Sequence, residues 1–246
     1  MQLPRIRGVI DRRILVNYRV DPEQLAKFLP EPFRPQTVGE YGIAGICLIR
    51  LKQIRPAWLP AWVGIGSENA AHRIAVEWDT EQGTQTGVYV PRRDTSSRLN
   101  SFVGGRIFPG VQHHARFAVS ETEQCFRVEI NHPGHTSHVL VEGELSESLP
   151  ADSIFSSIRD VSDFFEQGSL GYSPASMAGK YDGLELRAEN WKVQPLSVSR
   201  VESSFFSNRE FFPVGSVSFD NALLMQDIHH EWHSREPICC SPMVSP

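Results

Sequence analysis

Short stretches in which apolar and polar residues alternate dominate this chain, and period-two alternation marks half-buried strands. Residues 9–20, 42–54, 69–79, 85–91, 113–120, 124–131, 136–145, 184–193 and 196–206 all read as strands. A turn containing Gly83 joins the third and fourth into a hairpin. Helical spacing is scarcer. Asp21 is a good N-cap, Pro22 suits the first helical position, and Leu25, Phe28 and Leu29 form an apolar face before Pro30 and Pro32 stop the helix. Asp94 predicts a second short helix running to about Val103, ended by Gly104 and Gly105. The clearest helix spans 152–167, where Ile154, Ile158, Val161 and Phe165 make a stripe for packing on a sheet and Gly168 follows as a stop.

Residues 214–232 hold an apolar run, Ala222 to Met225, followed by Asp227-Ile228-His229-His230-Glu231-Trp232, and the segment reads as helix or strand. The tail from Ser234 reads as flexible, so the expected organisation is one domain over 1–233 and a tail over 234–246. Many strands with few short helices predict a single mainly β architecture, most simply a closed antiparallel barrel. The Pro- and Trp-rich piece 56–63 reads as a loop or barrel rim, with hydrophobic packing of Trp58 and Trp62 favoured over a lid.

Composition narrows the chemistry. At 246 residues, 40% hydrophobic and net charge −5, the chain has material for a core and no electrostatic case for binding nucleic acid or an anionic membrane. No stretch approaches the roughly 18 apolar residues of a membrane span, and the start lacks a signal-peptide core, which predicts a cytoplasmic protein. Arginine outnumbers lysine by 20 to 4, the lysines being Lys27, Lys52, Lys180 and Lys192. Arginine can clamp a carboxylate but cannot form an imine. Cys47, Cys125, Cys239 and Cys240 match neither a zinc pattern nor CxxC, and read as reduced thiols. The histidines, including the i, i+4 pair His229 and His233 and the group His132, His135 and His138, do not form a recognisable metal motif, and no metal or cofactor is expected. Nucleotide and serine-hydrolase motifs are absent.

Candidate chemistry gathers in Gly104-Gly105-Arg106-Ile107-Phe108-Pro109-Gly110-Val111-Gln112-His113-His114, where turn residues precede two adjacent histidines on a strand. Neighbours on a strand face opposite ways, so at most one of His113 and His114 points inward, as a candidate acid or base. Glu68, between a glycine-rich turn and a strand start, is a candidate carboxylate. Arg92 and Arg93, before Asp94, are candidate anion ligands through charge-assisted hydrogen bonds.

Arg12-Arg13-Ile14-Leu15-Val16-Asn17-Tyr18-Arg19-Val20-Asp21, then Leu29-Pro30-Glu31-Pro32-Phe33, Ser67-Glu68-Asn69 and Gly105-Arg106, occur in the order and spacing of the acetoacetate-decarboxylase-like superfamily. The chain resembles an uncharacterised, domain-of-unknown-function branch of it over roughly residues 8–232. The resemblance implies an acetoacetate-decarboxylase-like antiparallel β-barrel with a few flanking helices, assembled as a homo-oligomer. It places a pocket glutamate on Glu68 and a pocket arginine on Arg12 or Arg13, while a second pocket glutamate, expected in 42–54, has no counterpart. The family's two catalytic lysines, one of them imine-forming, fall on His113 and His114, or with a gap on Gly110 and Val111. Neither alignment supplies a lysine.

Two functions are therefore expected. In the first, a barrel pocket binds a small anionic or carbonyl-bearing molecule without an imine, with Arg12 or Arg13, Arg106, Arg92, Arg93 and His114 as ligand-binding candidates. In the second, His113 and Glu68 act as an acid–base pair on a carbonyl compound, a lyase- or isomerase-type reaction. Acetoacetate decarboxylation ranks behind both.

Overall fold

The computed structural model describes residues 5–97, 110, 112–132 and 138–239. The strands are β1 (Ile6–Val20), β2 (Arg34–Pro35), β3 (Thr37–Val38), β4 (Tyr41–Pro56), β5 (Ile65–Thr80), β6 (Gly83–Thr95), β7 (Gln112–His114), β8 (Arg116–Glu121), β9 (Cys125–Asn131), β10 (His138–Leu145), β11 (Leu170–Pro174), β12 (Lys180–Ala188), β13 (Gln194–Ser203) and β14 (Val217–Cys239). Among the described residues two α-helices join them, α1 (Pro22–Ala26) and α2 (Ile158–Gln167).

Seven strands close into a ring. Their order is β1-β4-β5-β6-β11-β12-β14, and β14 returns to pair with β1. Closure depends on the length of β14. One edge runs antiparallel along β1 from Val217 to Trp232. The other edge meets β13 at Ala222 to Leu224 and then β12 from His230 to Cys239. A second layer, β13-β10-β9-β8, thus branches from the same strand and folds over the outside of the ring.

Strand alternation then sorts side chains into two cores. Ile14, Val16, Tyr18, Ile46, Leu48 and Ile74 lie on the outer face with Val128, Ile130 and Val141 of the second layer. Leu15, Ile43, Cys47, Ala75, Leu223 and Met225 point into the ring. There they meet Phe155, Val161 and Phe165, so α2 packs into the barrel through the stripe seen in the sequence. Ser157 caps α2 by accepting from the Asp160 N–H, and Gly168 ends it. The Asp220 carboxylate accepts from Ser153 Oγ and from the Ile154 N–H, which ties the approach to α2 to the wall of the barrel.

Several expectations need correction. Asp94 is not a helix cap but lies inside β6, because its carboxylate is satisfied by Arg92 and His132 rather than by backbone N–H groups. The remainder of the helix expected there lies outside the described residues. The early part of the expected 152–167 helix is a series of bends, with regular helix only from Ile158. Residues 234–239 are not a loose tail: Ser234 pairs with Leu184 and Cys239 with Lys180, so the strand supplies their backbone partners. Trp58 and Trp62 are 77% and 84% exposed and do not pack. Of the two readings left open for residues 214–232, the structure has the strand, β14, which carries His229 and His233.

Among the described residues, two histidines are buried without a side-chain hydrogen-bond partner, His72 in the outer core against Phe205 and Phe206, and His230 beside Trp232. Burial disfavours the imidazolium and pushes each pKa down to about 4. An unfolded chain takes up these protons near pH 6.5, so between about pH 6.5 and 4 it binds more protons than the native state. Stability is full above that window and falls as pH drops through it, by up to about 3 kcal/mol for His72. Urea titrations across pH 4–7 should show this slope, and it should shrink in His72→Leu. An unchanged slope in that variant would remove His72 as its source.

Candidate functional site: the barrel interior

A cavity of about 140 Å³ lies inside the ring, and every ring strand contributes to its wall. Arg13 comes from β1, Cys47 from β4, Arg73 from β5, Arg93 from β6, Gly171 from β11, Leu184 from β12 and Trp232 from β14. Gly168 and Ser169, just beyond α2, also line it. Its volume is close to that of cavities that hold a benzene-sized molecule of about six heavy atoms. Most of the wall is apolar, with Ile49, Leu51, Val88 and Val90 prominent.

Three guanidinium groups break that apolar wall. Arg13 donates from Nε to Cys47 Sγ at 3.2 Å and lies with its guanidinium carbon 5.6 Å from the Trp191 ring centre. Arg73 is only 5% exposed, donates to Asn17 Oδ1 and lies 4.3 Å over the Phe165 ring. Asn17 is in turn fixed, donating to Asn221 Oδ1 at 2.7 Å. Arg93 donates to Ser173 Oγ from Nε at 3.2 Å and from Nη2 at 3.1 Å. Among the described residues, none of the three forms an ion pair with a carboxylate. The one acidic residue in the described wall, Asp94, is engaged elsewhere, with Arg92 Nε at 3.1 Å and His132 Nε2 at 2.7 Å.

Burial lowers the pKa of Arg73 and of Arg93 to about 10, and both stay charged at neutral pH. Cations taken out of water without a counter-charge are costly, by several kcal/mol per ion in real proteins. An anion entering the cavity would meet donors already oriented by Asn17 and Ser173, in a setting where charge-assisted hydrogen bonds are strong.

Of the residues singled out in the sequence, Arg13 and Arg93 reach this cavity. Their neighbours Arg12 and Arg92 face the other way, as alternation requires. Arg12, 1% exposed, donates to Glu68 Oε2 at 2.5 Å and to Glu121 on the outer side of the ring. Arg50 crosses the same two carboxylates, from Nε to Glu68 Oε1 at 2.5 Å and from Nη1 to Glu121 Oε2 at 2.7 Å. Both carboxylate oxygens of Glu68 are thereby occupied. β7 runs parallel to β6, with Gln112, His113 and His114 opposite Arg93, Asp94 and Thr95. Gln112 accordingly lines the cavity, whereas His113 is exposed and His114 shares the inward face without reaching the wall. His113 and Glu68 therefore do not meet at the cavity. Arg106 lies outside the described residues. Gly110 is described, and its φ of +86° with Ser173 Cβ only 2.9 Å from a hypothetical Cβ makes glycine the residue that fits against the Arg93–Ser173 pair.

None of the four lysines lines the cavity. Arg73 and Cys47 were not singled out in the sequence. A charge at the centre of Ala70-Ala71-His72-Arg73-Ile74-Ala75-Val76 was the available signal for Arg73, since arginine is rarely buried unless it has a partner.

Comparison with known proteins agrees with this architecture. No curated protein matches the chain in sequence. Among solved structures, the acetoacetate decarboxylase of Legionella pneumophila superposes with a TM-score of 0.63 at 9% identity, covering 99% of this chain and 90% of that one. The enduracididine biosynthesis enzyme MppR, complexed with pyruvate, superposes with a TM-score of 0.66 at 11% identity, over 98% of this chain and 92% of the other. An acetoacetate-decarboxylase-like enzyme from Sphingomonas wittichii gives 0.58 at 12% identity, over 96% and 92%. At such identities these likenesses establish the fold alone. Residues 10–226 match the DUF2071 family, described as an uncharacterized conserved protein. The chain belongs to the DUF2071 family and has an acetoacetate-decarboxylase-like fold.

Proposed function

We propose that this protein binds a small carboxylate inside the barrel, through Arg13, Arg73 and Arg93, without forming a lysine imine. One observation carries the reading: three guanidinium groups line a single apolar cavity and, among the described residues, none has a carboxylate partner. The cavity's 140 Å³ favours a ligand of about six heavy atoms. Pyruvate, found with the similarly folded MppR, is of that size. The absence of lysine from the wall supports binding without an imine. An acid–base reaction through His113 and Glu68 gains no support, because one side chain is exposed and the other is held by two arginines on the outer face.

Thermal unfolding of the full chain with pyruvate, acetoacetate and the neutral ketone acetone tests this reading. A ligand at about 100 times its Kd stabilises by about 2.7 kcal/mol, which for a domain of this size raises Tm by roughly 5–10 °C. The two oxo acids should protect and acetone should not. Equal responses to all three, or none, would remove the arginine cluster as an anion site.

A further inference from the structure

The cavity holds a nucleophile as well as cations. Cys47 is a free thiol, 7% exposed, and its sulfur accepts the Arg13 Nε–H at 3.2 Å. A guanidinium N–H directed at sulfur stabilises negative charge as it develops there. A second, independent feature of the same wall points to a ligand. Arg73 is buried, and its Nε has no hydrogen-bond partner among the described residues. A buried donor left unsatisfied is destabilising, the more so when charged, and an incoming carboxylate would satisfy it. Cys47, Arg73 and Arg93 line the same cavity.

We propose that Cys47 is a nucleophile toward the carboxylate held by Arg13, Arg73 and Arg93, so that the ligand is an oxo acid with an electrophilic carbonyl carbon. The proposal rests on the anion-binding reading above and adds the carbonyl requirement. The step is an addition. The sulfur forms a bond to the carbonyl carbon, the C=O π pair moves to oxygen, and the proton leaving sulfur ends on that oxygen. The product is a hemithioketal, and reversal releases the oxo acid unchanged. Atoms and electrons balance without an oxidant, reductant or second substrate. Guanidinium groups in the same wall would stabilise negative charge as it develops on oxygen. The apolar remainder of the wall, including Ile49 and Val88, keeps water from competing for the carbonyl.

Paired alkylating reagents separate this idea from simple anion binding. Iodoacetate and iodoacetamide share a leaving group and differ in charge. Their rates on the full chain are read at each cysteine by peptide mass spectrometry, with exposed Cys125 as the internal reference. The ratio of iodoacetate to iodoacetamide rates at Cys47 should exceed that at Cys125 by about tenfold or more, taking one carboxylate–guanidinium contact as worth at least 1.4 kcal/mol. Pyruvate should slow the Cys47 reaction and leave Cys125 unaffected. Arg73→Met should return the Cys47 ratio to within about threefold of the reference while iodoacetamide still labels the thiol. Failure of Cys47 to react with either reagent, or a ratio equal to that of Cys125, overturns the proposal. Thermal protection by pyruvate distinguishes the two failures. Protection that persists in wild type and in Cys47→Ser, with an unreactive thiol, leaves the arginine site standing and removes the nucleophile. Loss of protection in wild type removes both.

Discussion

Arg12→Met should lose about 3 kcal/mol of stability, and the loss should show as a lower urea midpoint at constant slope. Arg12 is among the largest fully buried side chains and joins Glu68 to Glu121 across the interface between the ring and its second layer. Methionine preserves much of its volume but withdraws the positive charge. Glu68 and Glu121, each less than one-fifth exposed, would then share Arg50 alone. Breaking a buried pair costs more than the pair itself contributes, because the remaining charge stays out of water. Against a total stability of about 5–15 kcal/mol for a domain, that is a large share. The same substitution should alter pyruvate protection little, since Arg12 faces away from the cavity. A loss below about 1 kcal/mol, or a selective loss of ligand protection, would contradict this structural assignment of Arg12.

Arg73→Met should do the opposite: abolish ligand protection and leave stability within about 1 kcal/mol of wild type. Burial without a counter-charge, with the pKa lowered to about 10, corresponds to a cost of about 3 kcal/mol at neutral pH. The substitution relieves that cost. It gives up the hydrogen bond to Asn17, worth about 1.5–3 kcal/mol for a charged donor, and the contact with the Phe165 ring, worth about 1 kcal/mol. These terms nearly cancel in the free protein. In the complex they do not, since removing one partner of a desolvated charge pair costs about 2 kcal/mol or more, or at least about thirtyfold in affinity. Calorimetric titration with pyruvate and urea unfolding of the same samples would measure both quantities. A variant that binds normally, or that loses more than about 2 kcal/mol of stability, would show that Arg73 holds the fold rather than a ligand.

These two arginines also mark how far local pattern reaches. Alternation in Ile14-Leu15-Val16-Asn17-Tyr18 identifies a strand with both faces buried, and it guarantees that Arg12 and Arg13 point to opposite sides. It cannot say which side is the inside of a ring. The order of Arg-Arg, Pro-Glu-Pro, Ser-Glu-Asn and Gly-Arg pieces pointed to the acetoacetate-decarboxylase-like fold, and with it to a choice between Arg12 and Arg13. The structure does not bring Glu68 and His113 together, for a related reason. Each residue type suits acid–base chemistry, but Glu68 lies on the outer face opposite Arg50, and β7 adds to β6 in a register that leaves His113 exposed.

By itself the sequence determined the strand-rich class, the α2 stripe and the scarcity of lysine, because periodicity, helix caps and composition are local or additive properties. The tertiary structure decided that the long β14 closes seven strands by pairing with β1 and β12 together. It also decided that Arg13, Arg73 and Arg93 share a cavity with Cys47 while Arg12 and Arg92 do not. Those outcomes depend on register and closure between strands as far apart as residues 13 and 232. A shift of one residue in either pairing would send each side chain to the other face.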